Sequence, residues 1–171
     1  MSARFAIEAL AKSHQRKAFS CGNDRIDRYF RETVTQDIKR RYATCFVARD
    51  LQSDRIAGFY TLSSSNVPLT AVPEPLAGRL PRYPTVPAVL IGWLGRDQSY
   101  AGLGLGEALL FDAIKTVAEA PIGAHAIFAD AIDDRAAAFY ATFGFTPLTG
   151  RSNTLYLPVA TAQSLLTGDT P

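Results

Sequence analysis

This sequence predicts a single mixed α/β domain, with a central sheet of six to seven strands flanked by helices. Three observations predict it. Strand-like runs rich in aromatic and β-branched residues alternate with amphipathic, helix-like runs. A glycine turn, Gly102-Leu103-Gly104-Leu105-Gly106, joins a strand-like run over 87–95 to a helix-like run. The composition, 171 residues with 47% hydrophobic and 20% charged, is that of one ordinary soluble domain.

Taken in order, Arg4 to Leu10 alternates weakly and reads as the first strand. Asn23 or Asp24 caps a helix running to about Arg41, whose apolar positions Ile26, Phe30, Val34 and Ile38 recur every four residues. Tyr42 to Arg49 and Ile56 to Ser63 are strand-like, and the short polar link Asp50 to Arg55 makes them an antiparallel hairpin. Val67 to Pro87 holds six of the ten prolines, which argues against a regular helix or strand and for a long functional loop, a lid or a binding surface. A strand over Ala88 to Gly95 leads to the glycine turn and a helix from about Gly104 to Glu119. A strand His125 to Ala131, a helix Asp133 to Phe143 and two closing strands, near Thr146 and over Thr154 to Leu157, complete the β-α-β-β-β-α-β-α-β order.

Several classes are disfavoured. No apolar run reaches the roughly 18 residues of a membrane span, and Met1-Ser2-Ala3-Arg4-Phe5 carries no apolar leader core, so no membrane partner is expected. Cys21 and Cys45 are too few for a disulfide framework and point to a reducing cytoplasm. The net charge of +2 demands no nucleic-acid partner globally, so any such partner needs a local basic patch. His14 and His125 form no ligand spacing with the cysteines, and no metal is expected. Cys21 has no evident base beside it and reads as a buried structural thiol.

The glycine turn carries the first chemistry. Glycine accepts positive φ and lets a ligand approach the backbone, so several N–H groups can converge on one anion. The helix that follows adds its positive end. Such a turn suits a phosphate, most simply the pyrophosphate of a cofactor, although a plain tight turn needs glycines too.

The second segment is Asp133 to Phe145. Asp133 is placed to cap a helix and Gly144 to end it, with Phe139, Phe143 and Phe145 as core anchors. Tyr140 lies between them in sequence and is rotated to another side of the helix, either a core tyrosine with a satisfied hydroxyl or a group facing a different surface.

Together, the glycine turn and Phe139-Tyr140 with Phe143-Gly144-Phe145 some thirty residues on resemble the GNAT superfamily of N-acetyltransferases. The resemblance covers about residues 44–148. It implies a GNAT-like fold, acetyl-CoA as the acetyl donor, and a pyrophosphate held by the backbone of Ala101, Gly102, Leu103, Gly104, Leu105 and Gly106. It also implies Tyr140 as the general acid beside the CoA sulfur. A backbone N–H over Leu94, Gly95 and Arg96 can polarise the thioester carbonyl.

A narrower resemblance adds Phe19-Ser20-Cys21-Gly22, Ile26-Asp27-Arg28-Tyr29, Gln36 to Arg41, Gly58 to Ser63 and the block Arg79 to Pro87. These are similar to the acetyltransferase toxins of bacterial toxin–antitoxin pairs, which extends the likeness to nearly the whole chain, residues 1–171 as one acetyltransferase domain. That branch implies acetylation of the α-amine of aminoacyl-tRNA, a block of translation, a ribbon-helix-helix antitoxin as partner, and a homodimer. The chain departs from the pattern at Ala101 and Leu103, where Gln or Arg and a basic residue are usual, and at Trp93, where the branch carries arginine.

The chemistry fits these residues. A tyrosine is protonated at pH 7 and can give its proton to a departing thiolate. No general base is evident, and an α-amine, with a pKa of about 8, needs less deprotonation than a lysine. For tRNA the candidate contacts are Arg28, Lys39, Arg40, Arg41, Arg79, Arg82 and Trp93, the basic ones being either phosphate contacts or a solvated face. Three readings stand: a toxin that acetylates aminoacyl-tRNA, an acetyltransferase of a small amine or protein N-terminus, and a non-catalytic acyl-CoA- or antitoxin-binding module.

Overall fold

The structure, a computed structural model, describes residues 3–168, the side chain of Ser152 excepted. The two ends of the expected 1–171 span lie outside the described residues.

Strands β1 (Phe5–Ala9), β2 (Thr44–Asp50) and β3 (Ile56–Pro68) are successive neighbours, each pair antiparallel. The expected hairpin is therefore present, with Val47 opposite Phe59. β4 (Thr85–Arg96) pairs in parallel with β5 (Ala126–Asp130), and β7 (Arg151–Pro158) lies antiparallel between β5 and β6 (Thr146–Leu148). The seven strands form one mixed sheet in the order β1-β2-β3-β4-β5-β7-β6. The predicted α/β class with six to seven strands holds. No helix among the described residues is long and apolar enough to cross a membrane.

The expected single helix over 24–41 is three pieces. α1 (Asp24–Arg28) is capped by Asn23, whose side chain accepts from the N–H groups of Arg25 and Ile26. A π-turn covers Tyr29–Thr33, and α2 (Val34–Lys39) ends at Arg40. The physical reason is a side chain set against the helical ladder: Arg16 Nη1 donates to the carbonyls of Phe30, at 2.6 Å, and Arg31, at 3.3 Å. The wider turn keeps apolar residues spaced by four on one side, where Phe30 and Val34 are fully buried. Arg41 lies beyond the helix at φ 64°.

The described chain divides into two compact units, one formed by residues up to Ser63 with Gly92–Ala113 and the other by Ser64–Ile91 with Ile114 onward. In the first, Phe19, Phe30, Val34, Val47, Ile56 and Phe59 form the core, with the Phe30 ring stacked 4.1 Å from that of Phe59. In the second, Val67, Val72, Val86, Ala88, Phe128, Leu148 and Tyr156 do so. Burying one such side chain contributes about 1.5–3 kcal/mol.

The proline-rich segment departs from expectation. β3 runs through Pro68 and β4 begins at Thr85, so strands enter it from both ends. Pro87 fits inside β4 because it serves only as an acceptor, from His125 N–H at 2.8 Å. Short 3₁₀ turns at Leu69–Ala71 and Ala77–Arg79 fold the rest, and Leu69 N–H to Pro84 C=O closes it at 3.0 Å. Its valines supply core, so much of the segment is scaffold, with Arg79 and Arg82 exposed on it.

α3 (Leu105–Glu119) starts one residue after the expected position, and α4 (Asp134–Ala141) is capped by Asp133, which accepts from Ala136 N–H at 2.8 Å. Gly144 then turns the chain at φ 92°. Of the three expected phenylalanine anchors only Phe145 is buried, Phe139 and Phe143 being partly exposed. A closing helix, α5 (Val159–Thr167), was not expected; it follows directly from Pro158, which sits at its N-cap.

Candidate active site

The parallel register of β4 ends at Ile91 opposite Ala129, and Gly92 to Arg96 run on without a β5 partner. That leaves strand backbone at Leu94, Gly95 and Arg96 beyond the paired part of the ladder. Gly95 also serves packing, since a Cβ there would lie 3.1 Å from both Ile26 and Phe59. Arg96 Nε is enclosed and has no partner among the described residues.

A polar knot positions the turn that follows. Asp97, nearly fully buried, accepts from Ser20 N–H at 3.0 Å and from both the N–H and hydroxyl of Ser99. Against the effect of its burial, these bonds hold its carboxyl below the usual range. Tyr100, also buried, donates its hydroxyl to Asp50 at 2.9 Å, which ties the turn to β2. The sequence reading missed this knot, although Asp97-Gln98-Ser99 carries the signature of a side chain bonding the backbone two residues on.

The turn itself is open. Gly102 and Gly104 have φ of 79° and 71°, and no atom would lie within 4 Å of a Cβ on either. Ala101 N–H is used locally, by Gln98 C=O, and the first helical bond runs from Ala108 N–H to Gly104 C=O. Between them, the N–H groups from Gly102 through Glu107 make no hydrogen bond to any described residue. Leu105 anchors the helix start in the core, Gly106 is half-buried in the first turn, and Leu103 is 50% exposed. A row of unpaired donors at the positive end of a fifteen-residue helix is chemically matched to a pyrophosphate.

Tyr140 is 6% exposed in the second unit, and its ring lies 5.5 Å from that of Phe145 and 5.6 Å from that of Phe139. It is buried as a core tyrosine would be, yet its hydroxyl has no hydrogen-bond partner among the described residues. Burial first, and the nearby Asp130 carboxylate second, push its pKa well above the ordinary value, so the phenol holds its proton throughout the physiological range. Cys21 is half-buried, with its thiol raised to about 11 chiefly by burial and then by Asp27. A thiol so held is a poor nucleophile at neutral pH.

The basic candidates Arg28, Lys39, Arg40 and Arg41 are all exposed in the first unit, and Arg79 and Arg82 are exposed in the second. Trp93 is partly buried, stacked 4.2 Å from Tyr29 at 7°, with the Arg25 guanidinium 5.6 Å from its ring. One face of the indole is thus already covered from within the chain. Tyr29 in turn donates to Asp37 at 2.9 Å. Nothing in the spacing of Arg25, Tyr29 and Trp93 announced this stack, because the π-turn that aligns Tyr29 depends on Arg16.

Comparison with known proteins places these features in a family. The chain is 30% identical, over 96% of its length and 97% of the relative's, to a probable toxin TacT of Sinorhizobium fredii. It is 33% identical, over 85% of its length and 86% of the relative's, to a tRNA-acetylating toxin of Mycobacterium tuberculosis. Among solved structures, a tyrosine-to-phenylalanine mutant of KacT superposes with a TM-score of 0.89 at 26% identity, over 95% of this chain and 99% of that one. AtaT complexed with acetyl-methionyl-tRNAfMet gives 0.87 at 25% identity, over 95% and 99%. AtaTR bound with AcCoA gives 0.83 at 25% identity, over 95% and 98%. Residues 7–145 match the acetyltransferase (GNAT) family, and with the glycine turn seated between β4 and α3 the chain belongs to the GNAT family of acetyltransferases.

Proposed function

We propose that this chain is the toxin of a toxin–antitoxin pair and transfers the acetyl group of acetyl-CoA to the α-amine of aminoacyl-tRNA, which blocks translation. Acetyl transfer rests on family membership and on the unpaired N–H row from Gly102 through Glu107, the observation that carries the reading. The choice of acceptor rests on likeness, over most of the chain, to proteins named as a tRNA-acetylating toxin and a probable toxin.

When bound, acetyl-CoA supplies an activated thioester. The backbone from Gly102 through Gly106, with Ala101 at its entry, holds the diphosphate. Leu94, Gly95 and Arg96 present strand N–H groups to the acyl carbonyl, where negative charge develops. Tyr140 Oη, kept protonated by its burial, gives its proton to the sulfur as the thiol leaves. The α-amine attacks in its neutral form, an appreciable fraction at pH 7–8. The proton its nitrogen sheds as the amide forms passes through solvent and restores the Tyr140 phenol, so no further protein base is required. Arg28, Lys39, Arg40, Arg41, Arg79 and Arg82 contact tRNA phosphates, and Trp93 lines the approach. The protein acts in the cytoplasm as a homodimer of single-domain chains, and a ribbon-helix-helix antitoxin neutralises it.

Labelled acetyl-CoA, incubated with the enzyme and either charged or uncharged total tRNA, tests this. Label confined to the charged pool is expected. Absence of label, with acetyl-CoA binding demonstrated in parallel, overturns the choice of acceptor.

A further inference from the structure

A hollow of about 540 Å³ opens where the segment after β1 meets α2, lined among others by Leu10, Lys12, His14, Arg16, Ile38 and Lys39. None of these residues belongs to the glycine turn or to the helix of Tyr140. Its charge is one-sided: Lys12, Arg16 and Lys39 are cations, and no carboxylate lines it among the described residues. Lys12 and Lys39 are exposed and form no ion pair with a described residue. In a chain whose net charge is only +2, that concentration is local.

The walls are fixed before any ligand arrives. Arg16 spends one terminal nitrogen on the carbonyls of Phe30 and Arg31, which sets the plane of its guanidinium and leaves its other nitrogens without a partner among the described residues. His14 Nδ1 accepts from Ala11 N–H at 2.8 Å, so Nε2 carries the proton and faces Glu8 at 2.8 Å. Glu8, the acid that His14 faces, is also held by Arg49 at 2.7 Å. Leu10 and Ile38, both half-buried against the first core, form an apolar floor.

The volume exceeds a lone anion and falls in the range of sites that take a ligand of several rings or groups. Fixed guanidinium donors with two flexible ammonium groups suit a phosphate. The apolar floor suits the sugar attached to it. Beyond the hollow the cations continue as Arg40 and Arg41, both exposed, as a repeating polyanion requires.

We propose that this hollow seats a phosphodiester segment of the acceptor RNA, with a backbone phosphate between Lys12, Arg16 and Lys39 and its ribose over Leu10 and Ile38. The inference rests on aminoacyl-tRNA being the acceptor.

The test is Lys12→Glu in the full chain, with Lys17→Glu, an exposed cation outside the lining, as control. Lys12→Glu should raise the KM for charged tRNA about tenfold or more while kcat, acetyl-CoA affinity and Tm stay unchanged. Lys12→Ala should lower the slope of log affinity against log salt by about 0.7–0.9, one phosphate contact. If the wild type labels charged tRNA and Lys12→Glu matches Lys17→Glu, the hollow is not an RNA site. If the wild type labels no charged tRNA, the acceptor assignment fails first. A poly-glutamate peptide that binds the wild type as tightly as RNA, and loses binding in Lys12→Glu, would assign the hollow to acidic protein partners and overturn the proposal.

Discussion

Gly104 offers a perturbation whose size follows from the backbone alone. It sits at φ 71° with no atom within 4 Å of a built Cβ, so Gly104→Ala meets no clash and the whole penalty is conformational. A Cβ in the left-handed region costs about 1–2 kcal/mol. That penalty must appear somewhere. If the turn keeps its shape, folding stability falls; if the turn relaxes to negative φ, the N–H row loses its aim and ligand binding must restore it. Gly102 to Gly104 are exposed, and among the described residues the backbone bonds that hold the turn locally are Ala101 N–H to Gln98 and Ala108 N–H to Gly104, so relaxation is the easier course.

Acetyl-CoA affinity should therefore fall about 5- to 30-fold in Gly104→Ala, the factor that 1–2 kcal/mol represents, with Tm nearly unchanged. Gly104→Val should lose more, because a β-branched residue tolerates this region least. Gly104→Asn should retain most of the affinity, since asparagine enters the left-handed region readily. Calorimetric titration with acetyl-CoA and thermal melts on the same samples separate the two components. If Asn weakens binding as much as Val does, or if Ala alters neither quantity, the conformational account of the phosphate turn is wrong.

Tyr140→Phe should bind acetyl-CoA normally and turn over 10²–10⁴ times more slowly, measured by single-turnover acetylation, and an unchanged rate would remove the phenol from the mechanism. Because burial raises the Tyr140 pKa, the wild-type rate should show no loss attributable to this donor as pH rises through 10, the ordinary value for tyrosine. Arg40→Ala with Arg41→Ala should weaken tRNA binding and flatten its salt dependence by about one to two phosphate contacts, whereas an unaltered slope returns both to a solvated face. The hydrogen bond from Arg4, then that from Gln52 N–H, hold the Asp50 carboxyl far below its usual range, so the stability it brings is complete above about pH 4 and lost as the pH falls toward its folded value. Denaturant melts of Asp50→Asn should be flatter than wild type between pH 5 and 3, and parallel curves would show that the carboxyl does not set the acid limb.

Local chemistry is what made parts of this protein readable in one dimension. Asp133 as a cap, Gly144 as a stop and the glycines at 102 and 104 are demands made by backbone geometry within a few residues, and each stands where the sequence implied. Aromatic and β-branched content likewise located β2 and β3, because such side chains fit a pleated surface. The expected helix over 24–41 failed for the opposite reason: the π-turn depends on Arg16, a side chain thirteen residues before Tyr29, taking the carbonyls of Phe30 and Arg31. The proline-rich stretch read as a loop because proline forbids donation, not acceptance, and only the partner at His125 reveals that Pro87 needs no donor.

The candidate site divides along the same line. The glycine turn is legible in the sequence from its residue types, whereas Tyr140 reads there as a core tyrosine or a surface-facing one, and its proposed role as proton donor comes from the family resemblance. The turn's aim is not legible there: it comes from Asp97 bonding back to Ser20 and from Tyr100 reaching Asp50, contacts across 77 and 50 positions of chain. The same holds for the hollow beside α2, where Lys12 and Lys39 line one cavity although the sequence separates them widely. Residue types in order were enough for the α/β class and for a glycine turn ahead of a helix. The tertiary structure alone decided which N–H groups stay unpaired, which side chains are buried and where the cations meet. Those properties belong to pairs of residues distant in sequence, and only folding sets the distances between them.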